Sequence, residues 1–168
     1  MGGERVQERW IAKCVALVIM RLQQRQQAEL VLSQRALEAA WPQDAALRHA
    51  TLRVTHTTPA FLRQLGDAGA STPTLDRLWQ AWRDGMRVIL EIECSCFGLL
   101  PIAELRRLPL EFCSVDRQPV HLLACAVAGY ADIRPLVGGY LVLARRVCLT
   151  ALARDEIIQR RLQLYRQE

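Results

Sequence analysis

The chain has 168 residues, 51% of them hydrophobic and 23% charged, which suits one compact domain plus an appendage and excludes disordered and fibrous classes. Its net charge of +5 rests on 21 arginines and a single lysine, Lys13, against 17 acidic residues. The basic residues are scattered, with pairs only at Arg106 and Arg107, Arg145 and Arg146, and Arg160 and Arg161, so no nucleic-acid-binding stripe is expected.

The first predicted element is a helix over Glu4 to Gln24. Val6, Trp10, Cys14 and Leu17 recur at helical spacing beside Ile11, Val15, Val18 and Leu22, which gives a wide apolar stripe. The apolar stretch from Trp10 to Met20 is interrupted by Lys13 and is too short to span a bilayer. The following run, Arg21 to Gln27, has no small-residue cleavage site, so neither membrane insertion nor secretion is expected. Gln23 to Gln27 form a polar connector, dividing the chain into an amphipathic helix with its connector, residues 1–27, and an α/β domain, residues 28–168. An isolated helix of this length is marginal in water, so it packs either on its own domain or on a partner.

Beyond Glu29, short apolar runs alternate with helical ones. Leu30 to Leu32 and Leu52 to Val54 read as strands. Thr58 with Pro59 is an N-cap and first-turn pair ahead of Phe61, Leu62 and Leu65, and Gly66 is a stop. Thr72 with Pro73 repeats the signal before Leu75, Leu78, Trp79 and Trp82, and Gly85 ends that helix. Those four large residues share one face, which is expected to meet the core. Met86 to Ile92 is the clearest strand and belongs in the interior of a sheet. Pro101 to Arg107 predicts a short helix, Leu108 to Phe112 the approach to a strand, Pro119 to Ala124 a further strand, and Ala131 to Ile133 a helical turn. Gly138 and Gly139 punctuate before Tyr140 to Ala144, a buried strand. Thr150 caps a helix from Ala151 to about Arg160, and Leu162 to Tyr165 add a terminal strand. This alternation predicts an α/β fold, a three-layer sandwich with a largely parallel sheet, preceded by the N-terminal amphipathic helix.

The usual chemistry-bearing constellations are missing from this pattern. There is no glycine-rich phosphate loop. His49, His56 and His121 and the six cysteines (Cys14, Cys94, Cys96, Cys113, Cys125, Cys148) lack metal-ligand spacing, since Cys94 and Cys96 form a C-x-C with no companion pair. The cysteines read as small buried hydrophobes with free thiols, and neither a metal nor a cofactor is expected. Glu91 and Glu93 share a strand face and read as a solvated face before an acid–base pair.

In the C-terminal third, Leu108-Pro109-Leu110-Glu111-Phe112 and Leu149-Thr150-Ala151-Leu152-Ala153-Arg154-Asp155 resemble the PduM family of propanediol-utilisation microcompartment proteins. The likeness extends to the N-terminal helix, Gly85 to Leu90, Pro119 to Leu123, Tyr130 with Asp132, and Leu162 to Glu168, with the middle of the chain least matched. It implies a non-catalytic structural or assembly component located within a cytoplasmic bacterial microcompartment. Its partners would be shell or encapsulated cargo proteins, with neither nucleic acid nor membrane involved, and a homo-oligomer is compatible with that role. No catalytic residues carry over. On this reading the docking face is Val6, Trp10, Ile11, Cys14, Val15, Leu17, Val18 and Leu22, with Trp10 as its anchor. The reading from a different class is a small cofactor-handling enzyme of the same organelle, with a cleft at the carboxyl ends of the strands.

Overall fold

The computed structural model describes residues 2–67 and 69–168, with side chains described from Gln7 onward. It begins with a long helix, α1 (Gly2–Gln27), which continues through the stretch expected to be a connector. The chain then alternates β1 (Glu29–Ser33), α2 (Gln34–Ala39), α3 (Ala45–Arg48), β2 (Thr51–Thr55), α4 (Pro59–Gly66), α5 (Pro73–Arg83) and β3 (Arg87–Ile92). A 3-10 segment (Cys94–Leu99) and α6 (Ile102–Leu105) lead to β4 (Glu111–Ser114) and β5 (Val120–Leu123). The remaining elements are β6 (Val127–Ala128), α7 (Tyr130–Ile133), β7 (Tyr140–Leu143), β8 (Cys148–Leu149), α8 (Ala151–Gln159) and β9 (Gln163–Arg166).

Local chemistry sets the helix starts. The Thr58, Thr72 and Thr150 hydroxyls accept hydrogen bonds from the Phe61, Leu75 and Ala153 amides at 3.2, 3.3 and 3.2 Å, satisfying donors that a helix N-terminus leaves unpaired. Proline occupies the first turn of α4 and α5, where its missing N–H removes nothing.

All the ladders are parallel, and they form three sheets, ordered β1-β2-β3-β4, β5-β7-β9 and β6-β8. The α/β expectation holds, and β3 and β7 are interior strands as expected. The first two sheets part at the turn after β4. There Cys113 and Pro119 make one antiparallel bridge and the Ser114 amide donates to the Gln118 carbonyl at 2.8 Å. Pro119 has no N–H with which to extend that ladder.

In the four-stranded sheet, Leu52, Val54, Val88, Leu90 and Ile92 point at Leu37, Phe61, Leu62, Leu65, Leu75 and Leu78 from α2, α4 and α5. Spatial order that follows sequence order puts the right-handed crossovers on one side, and the opposite face carries an ion-pair ladder. On it Arg53 meets Glu29 at 3.1 Å, and Arg87 meets Glu111 through two bonds of 3.0 and 2.6 Å. The three-stranded sheet is sandwiched. Val120 and Val142 share the first core with Phe97, Ile102 and Leu105, and Leu123, Leu141 and Leu143 form a second core with Ile133, Ala153 and Ile157 of α7 and α8. Phe97 also packs edge-to-face on Tyr140 and Tyr165, with ring centroids 5.3 and 5.6 Å apart.

Two expectations are corrected here. The face that α5 buries is Leu75, Leu78 and Ala81, while Trp79 is half-buried and Trp82 is 47% exposed. The core-facing stripe is turned toward Ala81, which is fully buried, and Trp79 packs at its edge. Among the cysteines, only Cys96 and Cys113 are buried. Cys14 and Cys125 are half-buried, and Cys94 and Cys148 are exposed. Cys94 opens the 3-10 turn after β3, and Cys148 points outward from two-residue β8, whose neighbour Val147 takes the buried position.

Candidate interaction surface

α1 forms because its 26 residues contain no proline and no β-branched run longer than Val18-Ile19. It is held at its C-terminal root. The Arg25 Nε donates to the Ala46 carbonyl at 2.6 Å, and the Ala50 amide donates to the Arg25 and Ala28 carbonyls at 2.9 and 3.1 Å. These bonds fix α1 to α3 and to the start of β2. Towards its N-terminus the helix leaves the body, and its apolar side chains stay wet.

Of the residues expected to form a docking face, Trp10 is 67% exposed, Val18 56% and Leu17 55%; Ile11, Val15 and Leu22 are close to half exposed, and Cys14 is half-buried. The side chain of Val6 lies outside the described residues. α1 therefore holds the seven described members of this set on one rod without covering them. Reading by stripe missed Ile19 and Met20, which are 50% and 45% exposed. At 100° per residue they fall on the remaining sides of the helix, so the apolar surface between Trp10 and Met20 runs all round it, broken by Lys13. Counting angles instead of following one stripe recovers them. A helix apolar on every side is ordinarily enclosed by other protein or by lipid, and no helix among the described residues is long and apolar enough to cross a membrane.

At the root of α1 lies a cleft of about 430 Å³ lined by Arg21, Gln24, Arg25, Asp44, Leu47 and Arg48. Arg48 pairs with Asp44 at 3.1 Å on an exposed helical turn, and Leu47 is 78% exposed. The cleft is rich in arginine, and Leu47 is the single apolar residue of its lining.

The other chemistry-bearing residues stand apart from one another. His121, on β5, lines a cavity of about 300 Å³ whose walls are mainly Phe112, Pro119, Val120, Leu122, Leu123 and Leu136, with Arg106 and Glu111 at its margin. Its Nε2 lies 3.2 Å from the Gly138 carbonyl, so that nitrogen is occupied in holding the turn before β7. Glu91, on interior β3, stands in register with Cys113, while Glu93 lies past the strand end and accepts from the Ser95 hydroxyl at 3.3 Å. The two carboxylates are thus not a pair on one strand face. Among the described residues no group of three or more His, Cys, Asp or Glu is placed to hold a metal ion.

Cys113 is buried, and burial together with the neighbouring Glu91 carboxylate pushes its thiol pKa up. A raised pKa means less thiolate at any given pH, hence slower alkylation. In a time course with iodoacetamide at pH 8, peptide mapping should show Cys94 and Cys148 modified first and Cys113 last. Modification of Cys113 ahead of Cys94 would contradict the burial of β4.

A protein family described as "Putative propanediol utilisation" matches residues 13–163. A protein of Citrobacter freundii named "Bacterial microcompartment assembly protein PduM" is 30% identical over 158 residues, covering 94% of this chain and 97% of that one. A protein of the same name from Salmonella typhimurium (strain LT2) is 32% identical over 168 residues, the full length of both. No solved structure matches the chain.

Proposed function

The chain belongs to the propanediol-utilisation family matched over residues 13–163, and we propose that it is a non-catalytic assembly component of a bacterial microcompartment, working through protein–protein contacts. Correspondence over 94% and 100% of the chain with two proteins named for microcompartment assembly supports this reading. On this reading the chain works in the organelle, with shell or encapsulated cargo proteins as its partners.

In this reading the chain has two working parts, a docking helix (residues 1–27) and an α/β body (residues 28–168). The observation that carries it is the uncovered apolar surface of α1, led by Trp10 at 67% exposure. Burying four of its large side chains against a partner would contribute about 1.5–3 kcal/mol each before ordering costs. A Trp anchor surrounded by aliphatic side chains is the usual composition of an interface centre. The body supplies a rigid platform, because α1 is hydrogen-bonded to it through Arg25.

The test uses cells that build the organelle. The full chain should be recovered with purified microcompartments, whereas the pair Trp10→Glu and Leu17→Glu should lower recovery about tenfold or more, since an unpaired carboxylate is costly in an apolar contact. Normal recovery of this variant would place recruitment on the body and sink the docking role of α1.

A further inference from the structure

We propose that the chain forms a two-fold dimer in which α1 packs antiparallel against the α1 of a second copy. The inference goes beyond organelle docking and does not depend on it. It starts from one stripe of the helix, Glu8, Ile11, Val15, Val18, Leu22 and Arg25, in which steps of three and four residues alternate. That is the heptad spacing of a helix–helix seam. Ile11, Val15, Val18 and Leu22 lie within an arc of about 60° at 100° per residue, and each is about half exposed.

Reversed about the midpoint between Ala16 and Leu17, the stripe maps onto itself. Val15 falls opposite Val18, Ile11 opposite Leu22, and Glu8 opposite Arg25. A second copy running the other way therefore meets apolar residues with apolar ones and an acid with a base, and two-fold symmetry repeats each contact. Parallel pairing would set Glu8 against Glu8 and Arg25 against Arg25, and would force two bodies together at one end. Antiparallel pairing places the bodies at opposite ends of a seam about 26 Å long.

The root cleft fits the same arrangement. Its lining includes Arg21, Arg25 and Arg48 beside exposed Leu47, at the level where the second helix brings Glu8. Arg25 spends its Nε on the Ala46 carbonyl, and a guanidinium has further donors for a carboxylate. Trp10 and Leu17 lie roughly 110° and 130° from the middle of the seam, so pairing leaves one such face on each protomer for other partners.

Sedimentation equilibrium of the purified full chain tests this. Between about 1 and 100 µM the mass should rise from 19.1 kDa towards twice that value. Val15→Glu with Val18→Glu, at the centre of the seam, should keep the circular dichroism of the body and remain monomeric, with association weakened about a hundredfold or more. Glu8→Arg and Arg25→Glu should each weaken association about tenfold, and E8R/R25E should recover most of it. Because R25E and E8R/R25E both lose the bond to Ala46, the comparison between them isolates the pairing across the seam. A monomer at all concentrations, a dimer that survives V15E/V18E, or a double swap no tighter than its singles would overturn the proposal.

Discussion

Deleting residues 1–24 is expected to leave the unfolding midpoint of the remaining chain within about 2 °C of the full-length value in dilute solution, while abolishing its recovery with microcompartments. The stability half follows from exposure. Trp10, Ile11, Val15, Leu17, Val18, Ile19, Met20 and Leu22 are all 45% exposed or more, so their removal takes little buried apolar area from the body. The truncation point matters, because Arg25 belongs structurally to the body. Its carbonyl accepts from the Ala28 and Ala50 amides at 3.1 and 2.9 Å, and its side chain holds Ala46. Keeping residues 25–28 keeps those bonds at the entry to β1 and β2. Truncation to residue 27 instead removes them and should show a larger loss, on the order of 1 kcal/mol per hydrogen bond. Calorimetry of the two truncations, beside organelle fractionation, checks both halves. A drop of about 10 °C on removing residues 1–24 would mean that α1 is part of the core.

How much of this could be read from the sequence depended on whether the deciding interaction was local. The caps at Thr58, Thr72 and Thr150 were legible because a hydroxyl and an amide three residues on settle them within one turn. β3 was legible because Val88, Ile89 and Leu90 are apolar on both faces, as an interior parallel strand requires. α2 and α3 were missed: six and four residues long, they hold too few turns to show a period. The division into separate sheets was also hidden, since it follows from how β4 and β5 diverge beyond a single bridge at Pro119. Trp82 was misplaced because periodicity gives a stripe with no indication of which edge of it a neighbouring strand will cover. For α1 the same limit is the central point. Its spacing reveals an apolar helix, but that the described body holds it only at its C-terminal root and leaves Trp10 to Leu22 largely exposed is a tertiary fact.

The position where one atom should do the most damage is Gly139, at the turn into β7. Its φ is +78, a region L side chains rarely adopt, and a Cβ there would stand 2.1 Å from the Pro119 carbonyl oxygen and 2.9 Å from the Pro119 nitrogen. That carbonyl accepts from the Tyr140 amide at 2.8 Å, and the Gly139 carbonyl accepts from the Gln163 amide at 2.8 Å. The glycine therefore sits where β5, β7 and β9 all begin. A Cβ can enter only if backbone moves, which would pull at two ladders, and the left-handed conformation alone costs a non-glycine residue about 1–2 kcal/mol. Gly139→Ala should lose about 3 kcal/mol or more in total, a large share of the 5–15 kcal/mol typical of a native chain. Gly138 provides the control. Its φ is +57 and nothing lies within 4 Å of its Cβ position, so Gly138→Ala should show only the conformational cost, about 1–2 kcal/mol. Urea unfolding of the two variants separates close approach from backbone strain. Equal losses would mean that Pro119 and Gly139 are not in contact, and the junction of the three strands would then have to be drawn differently.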